Sequence, residues 1–101
     1  MIQKMRNLVT INVHGINLYD VSDIEVCLKQ NDVELLYSGD DIEIGSESQL
    51  LVEVPKETAM NFDFKKPVRG QVMFTKDGLP DATRPFSFPV MELIKEAGYG
   101  D

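Results

Sequence analysis

With 101 residues, 43% of them hydrophobic and 27% charged, the chain has the size and composition of one folded domain, residues 1–101, and lies outside the disordered, collagenous and disulfide-rich classes. A formal net charge of -7, from 17 acidic and 10 basic residues, repels phosphate backbones and argues against nucleic-acid binding. One cysteine, Cys27, and one histidine, His14, supply neither an internal disulfide nor a Cys/His metal centre.

Along the chain, apolar and polar residues alternate in short runs. A strand sends successive side chains to opposite faces, so a period of two gives one dry face and one wet face. Val9, Ile11 and Val13 alternate with Thr10, Asn12 and His14, which predicts a first strand from Asn7 to His14. A loop from Gly15 to Ser22 follows, with Ile16 and Leu18 turned inward. Ile24, Val26 and Leu28 predict a second strand from Asp23 to Gln30. Asn31-Asp32 suits a tight hairpin because both residue types tolerate positive φ. The third strand is Val33 to Ser38, the fourth Asp41 to Ile44 and the fifth Gln49 to Val54, separated by Gly39-Asp40 and by the polar turn Gly45 to Ser48. Pro55 ends the fifth strand, since proline has no N–H for a ladder.

From Lys56 to Phe62 the alternation stops. Thr58 is read as a cap for a short helical crossover between two sheets. The sixth strand is Val68 to Thr75. Lys76 to Arg84, with Asp77-Gly78 and Pro80-Asp81, reads as a long connection. A seventh strand, Pro85 to Phe88, is either confined by its flanking prolines to an edge or made irregular by them. In the tail, Val90, Leu93, Ile94 and Ala97 fall at helical spacing and Gly98 is placed to stop a short C-terminal helix.

About seven strands with a short helical crossover before the sixth and a short C-terminal helix predict an all-β, immunoglobulin-like two-sheet sandwich, "like" referring to architecture alone, with a small barrel as the alternative. In that topology the third and sixth strands pair, which would set Leu36 and Met73 side by side on an outer face. Leu36, Leu51 and Met73 are apolar at outward positions. Leu36 and Met73, with the tail residues Leu93 and Ile94, are therefore the candidate protein-interface residues.

Sites for chemistry are weak. His14 stands alone at a strand end. Asp40, Asp41, Glu43 and Glu47 gather hard oxygen ligands, but without the spacing of a calcium loop, and a solvated acidic edge is the expectation. Cys27 lies on an outward face with Glu25 and Lys29 and lacks the setting that activates a thiolate. The basic groups Lys4/Arg6 and Lys65/Lys66/Arg69 read as solvated charge. No catalytic residue, cofactor or metal is expected, and the expected activity is none. No stretch reads as a secretory leader or a bilayer span, so the expected location is the cytoplasm of the producing cell.

Several segments in order carry a resemblance. They are an early strand with a glycine turn (Val13, Gly15, Ile16, Leu18), Leu28-Lys29-Gln30 before a hairpin, and the Ser38 to Asp41 turn. Val54 to Thr58 leads into a crossover ending in Phe62, a Val-Arg-Gly-Gln-Val strand follows (Val68 to Val72), and Leu93 to Gly98 closes the chain. This layout resembles small prophage-encoded structural proteins of Gram-positive bacteria, related in plan to the N-terminal β-sandwich domain of phage baseplate upper proteins. The resemblance implies a non-enzymatic virion component, in tail or baseplate, that works by protein–protein association. Its partners would be further copies of itself, as a homo-oligomer, or other virion proteins, with no nucleic acid and no membrane. The alternative is a carbohydrate-binding or adhesion sandwich, for which Tyr19, Tyr37 and Tyr99 are the aromatics on hand.

Overall fold

The computed structural model describes residues 7–63 and 65–89. They form an all-β sandwich of two sheets, as the alternation predicts. The strands are β1 (Asn7–Asn12), β2 (Ser22–Gln30), β3 (Val33–Ser38), β4 (Ile42–Ser46), β5 (Gln49–Val54), β6 (Val68–Lys76), β7 (Leu79–Ala82) and β8 (Phe86–Phe88), with one short helix, α1 (Lys56–Ala59), between β5 and β6. The smaller sheet has the order β1-β5-β4. The larger runs β3-β2-β6-β7, with β8 also on β6. All pairings are antiparallel.

The dry faces meet as their periodicity demands. Ile11, Val13, Leu50, Val52 and Val54 come from the smaller sheet and its margin. Val26, Leu28, Val68, Val72 and Phe74 face them from the larger. Leu18, Ala59 and Phe62 enter from the connections and are fully buried. Each large aliphatic or aromatic side chain so buried contributes about 1.5–3 kcal/mol. The loop after β1 is tied to the β4–β5 turn: Val13 N–H donates to the Ser48 carbonyl and Leu18 N–H to the Glu47 carbonyl, both at 2.8 Å.

Two connections differ from the sequence reading. Lys76 to Arg84 is not one long loop. Asp77 and Gly78 both take positive φ (53° and 77°), a two-residue turn whose twist matches the flanking strands, and β7 pairs Lys76↔Leu79 through Met73↔Ala82. Thr58 does not cap the crossover helix. Pro55 occupies the N-cap, with no side-chain cap, and Thr58 lies inside the helix. Proline suits the helix entrance because the first amides have no intrahelical partner.

The far margin of β6 is shared. β8 holds Val68 to Gly70 and β7 holds Met73 to Lys76. Between them Thr83 closes the gap. Its N–H donates to the Val72 carbonyl (2.9 Å), its Oγ1 accepts from Val72 N–H (3.1 Å), and its carbonyl accepts from Gln71 Nε2 (2.8 Å). The short, proline-flanked last strand is thus an edge strand, as expected. The residues after Pro89, and the predicted C-terminal helix with them, lie outside the described residues.

One polar side chain is built into the core. Gln30 is 4% exposed. Its Nε2 donates to the carbonyls of Asp63 (2.8 Å) and Lys66 (2.9 Å), and its Oε1 accepts from Asp63 N–H (2.6 Å). All the hydrogen-bonding directions that matter for a buried amide are met, so burial costs little. The crossover chain is thereby pinned to the end of β2.

A second polar link joins the sheets. Tyr37, on the inward side of β3, donates its hydroxyl to the Glu53 carbonyl of β5 at 2.9 Å. Burial first, then the Asp41 and Glu53 carboxylates, push the phenol above its ordinary range. The folded protein therefore keeps this proton where the unfolded chain has lost it, and stability falls as pH rises past about 10. Tyr37→Phe is expected to cost about 1 kcal/mol at neutral pH. Urea midpoints at pH 8 and at pH 10.5 check both points: the variant should start lower and show the smaller alkaline drop.

Candidate functional site: the outer face of the larger sheet

The register of β3, β2 and β6 fixes which side chains share the outer face. Opposite residues of an antiparallel pair point the same way. One row is Leu36, Cys27 and Gln71. The next is Ser38, Glu25 and Met73, extended by Ala82. A third is Glu34, Lys29 and Arg69, extended by Ser87. Of the interface candidates, Leu36 stands 62% exposed and Met73 is half-buried. Both face outward, as expected.

They are not side by side. The third strand pairs with the second, and β2 stands between β3 and β6. Two strand spacings, about 10 Å, separate their backbones, and Cys27 and Glu25 fill the interval. The hairpin through Asn31-Asp32, with Asn31 at φ 52°, keeps β2 and β3 as neighbours, and that local pairing displaces the predicted one. Leu93 and Ile94 lie outside the described residues.

Cys27 donates weakly to the Glu34 carboxylate at 3.9 Å. Burial, and then the Glu34 charge, raise its pKa above the usual thiol value, with Lys29 opposing. The thiol is thus held protonated at neutral pH and is a poor nucleophile. The acidic residues are spread out. Asp40 and Asp41 occupy the 3-10 turn Gly39–Asp41, Glu43 lies on β4 and Glu47 in the following turn. Among the described residues no three His, Cys, Asp or Glu converge to hold a metal ion. Tyr19 stands exposed in the 3-10 turn Leu18–Asp20, while Tyr37 spends its hydroxyl between the sheets. His14 is exposed beside Gly15. Among the described residues no helix is long and apolar enough to cross a membrane.

Sequence reasoning missed a shallow depression of about 520 Å³ at the β2–β6 end of this face, lined by Cys27, Lys29, Lys66, Arg69, Gln71 and Pro85 among others. Lys66 and Arg69 were visible as a small basic group. Nothing in the sequence set Lys29 beside them, because that needs the register of strands forty residues apart. Neither a family model nor a curated protein matches the chain.

Proposed function

We propose that this protein is a non-enzymatic structural module that acts by protein–protein association, as a tail or baseplate component of a phage or prophage virion. One observation carries the reading. Leu36 is a large apolar side chain, 62% exposed, on β3, whose far edge pairs with no strand among the described residues. An edge strand offers unpaired N–H and carbonyl groups to another chain, and an apolar residue on it adds burial once the contact forms. The likeness of the strand-and-turn layout to prophage structural proteins supports the virion setting.

Sedimentation velocity at rising protein concentration tests the association. A mass above the monomer is expected at high concentration, and Leu36→Glu should return it to the monomer without moving the thermal midpoint, because Leu36 supports no core contact. A wild-type chain that stays monomeric throughout would sink the reading.

A further inference from the structure

The depression on the outer face has an unusual charge arrangement for so acidic a protein. Lys29 on β2 and Arg69 on β6 are directly opposite and point the same way. Like charges at opposed positions of an antiparallel pair are destabilising. Lys66 adds a third cation from the loop before β6, and no acidic residue among the described residues lines the hollow. Glu34 borders it from β3, across from Lys29, but its carboxylate is turned to the Cys27 thiol.

The backbone beneath these cations is fixed. Gln30, buried at the end of β2, holds the Lys66 carbonyl at 2.9 Å, so the loop that carries the third cation is tied to the strand that carries the first. Asn31 also lines the hollow, and Pro67 and Pro85 supply apolar walls. Three cations around one hollow match a di- or trianion. A lone carboxylate would leave two of them unmatched. Arginine's planar fork and two lysine point charges are the combination that grips a phosphoryl group.

We propose that this depression is a binding site for a multivalent oxyanion of the phosphate-ester class, the phosphoryl group lying among Lys29, Lys66 and Arg69 and the ester body against Pro67, Pro85 and Cys27. The site is distinct from the edge proposed above for association: Leu36 does not line the hollow, although it neighbours Cys27, which does.

Inorganic pyrophosphate is the probe, added to the whole chain at fixed ionic strength and followed by amide chemical shifts and by thermal melting. A saturable shift is expected, centred on Lys29, Lys66, Arg69 and Gln71, together with a rise in the thermal midpoint that follows the site's occupancy. Because it relieves a like-charge pair, Arg69→Gln is expected to melt no lower than wild type without ligand, yet to bind at least about tenfold more weakly, the loss of one charged hydrogen bond. Pyrophosphate should also slow alkylation of Cys27 by neutral iodoacetamide, and Leu36→Ala, which brings no charge to the neighbouring row position, should bind as wild type does. A linear response matched by sodium chloride would mean screening alone and overturn the proposal. So would wild-type affinity in Arg69→Gln, or tighter binding of hexa-aspartate than of pyrophosphate, which would assign the hollow to an acidic protein segment.

Discussion

Replacing Gln30 with leucine is expected to destabilise the domain by about 3 kcal/mol, although the change makes a core residue more hydrophobic. Leucine would fit the apolar surroundings of Val26 and Leu28 on the same face of β2. It would also strip the Asp63 N–H and the Asp63 and Lys66 carbonyls of their partner. An orphaned buried polar group costs about 1–3 kcal/mol. Three groups are freed here, but Asp63 is half-buried and Lys66 exposed, so water recovers part of the loss. For a chain of this length the cost corresponds to a fall of about 15 °C in melting temperature. Gln30→Glu sharpens the test. A carboxylate still accepts from the Asp63 N–H but donates to neither carbonyl, so at neutral pH it should not restore stability. A melting temperature within a few degrees of wild type for Gln30→Leu would show that the crossover loop is held by other contacts.

The second large effect is expected at Gly70. This residue lies on the inward face of β6, opposite Leu28 on one side and Phe86 on the other. A Cβ there would meet the Phe86 ring at 2.5 Å and Leu28 Cδ2 at 3.0 Å. The Phe86 ring therefore occupies the volume that a side chain at position 70 would fill, and the absence of a Cβ is what lets β8 close onto β6. Gly70→Ala forces the ring outward and is expected to cost about 2 kcal/mol, in the range for overpacking. The cause is separable from any intrinsic effect of alanine in a strand. In a Phe86→Ala background the ring is gone and only Leu28 Cδ2, the movable end of a side chain, stays close, so Gly70→Ala should cost much less. A double-mutant cycle in urea should show strong coupling between the two positions. Additive effects would mean that the steric reading of Gly70 is wrong.

These two residues also mark where the sequence stops being legible. Alternation identifies the inward residues of β2, β5 and β6, and the hairpin at Asn31-Asp32 follows from residue type. What alternation cannot rank is neighbours. A strand with one wet and one dry face fits on either side of another, so the place of β2 between β3 and β6, and with it the separation of Leu36 from Met73, is a property of the folded sheet that the pattern does not encode. Gln30 breaks the dry face with a polar residue, which reads as a strand end until its three partners are seen. β7 was hidden for a different reason. Leu79 to Ala82 are all exposed, so the segment has no dry face to give a period, and Pro80 reads as a breaker. It is a strand because the Asp77-Gly78 turn delivers it to β6, not because its own residues favour one. The basic hollow depends on Lys29 meeting Arg69, a register fact that composition averages away under a net charge of -7.

The divided margin formed by β7 and β8 limits how copies could add to the larger sheet. Pro80, Pro85 and Pro89 have no N–H to give, and the break at Thr83 interrupts the row of exposed amides, so that flank is a poor template for an incoming backbone. The opposite flank, β3, carries no proline and no break. Among the described residues the larger sheet therefore has one receptive edge, so that sheet cannot be extended from both flanks. Two β3 edges that meet across a twofold axis use up each other's free side, so the larger sheets would join as a closed pair.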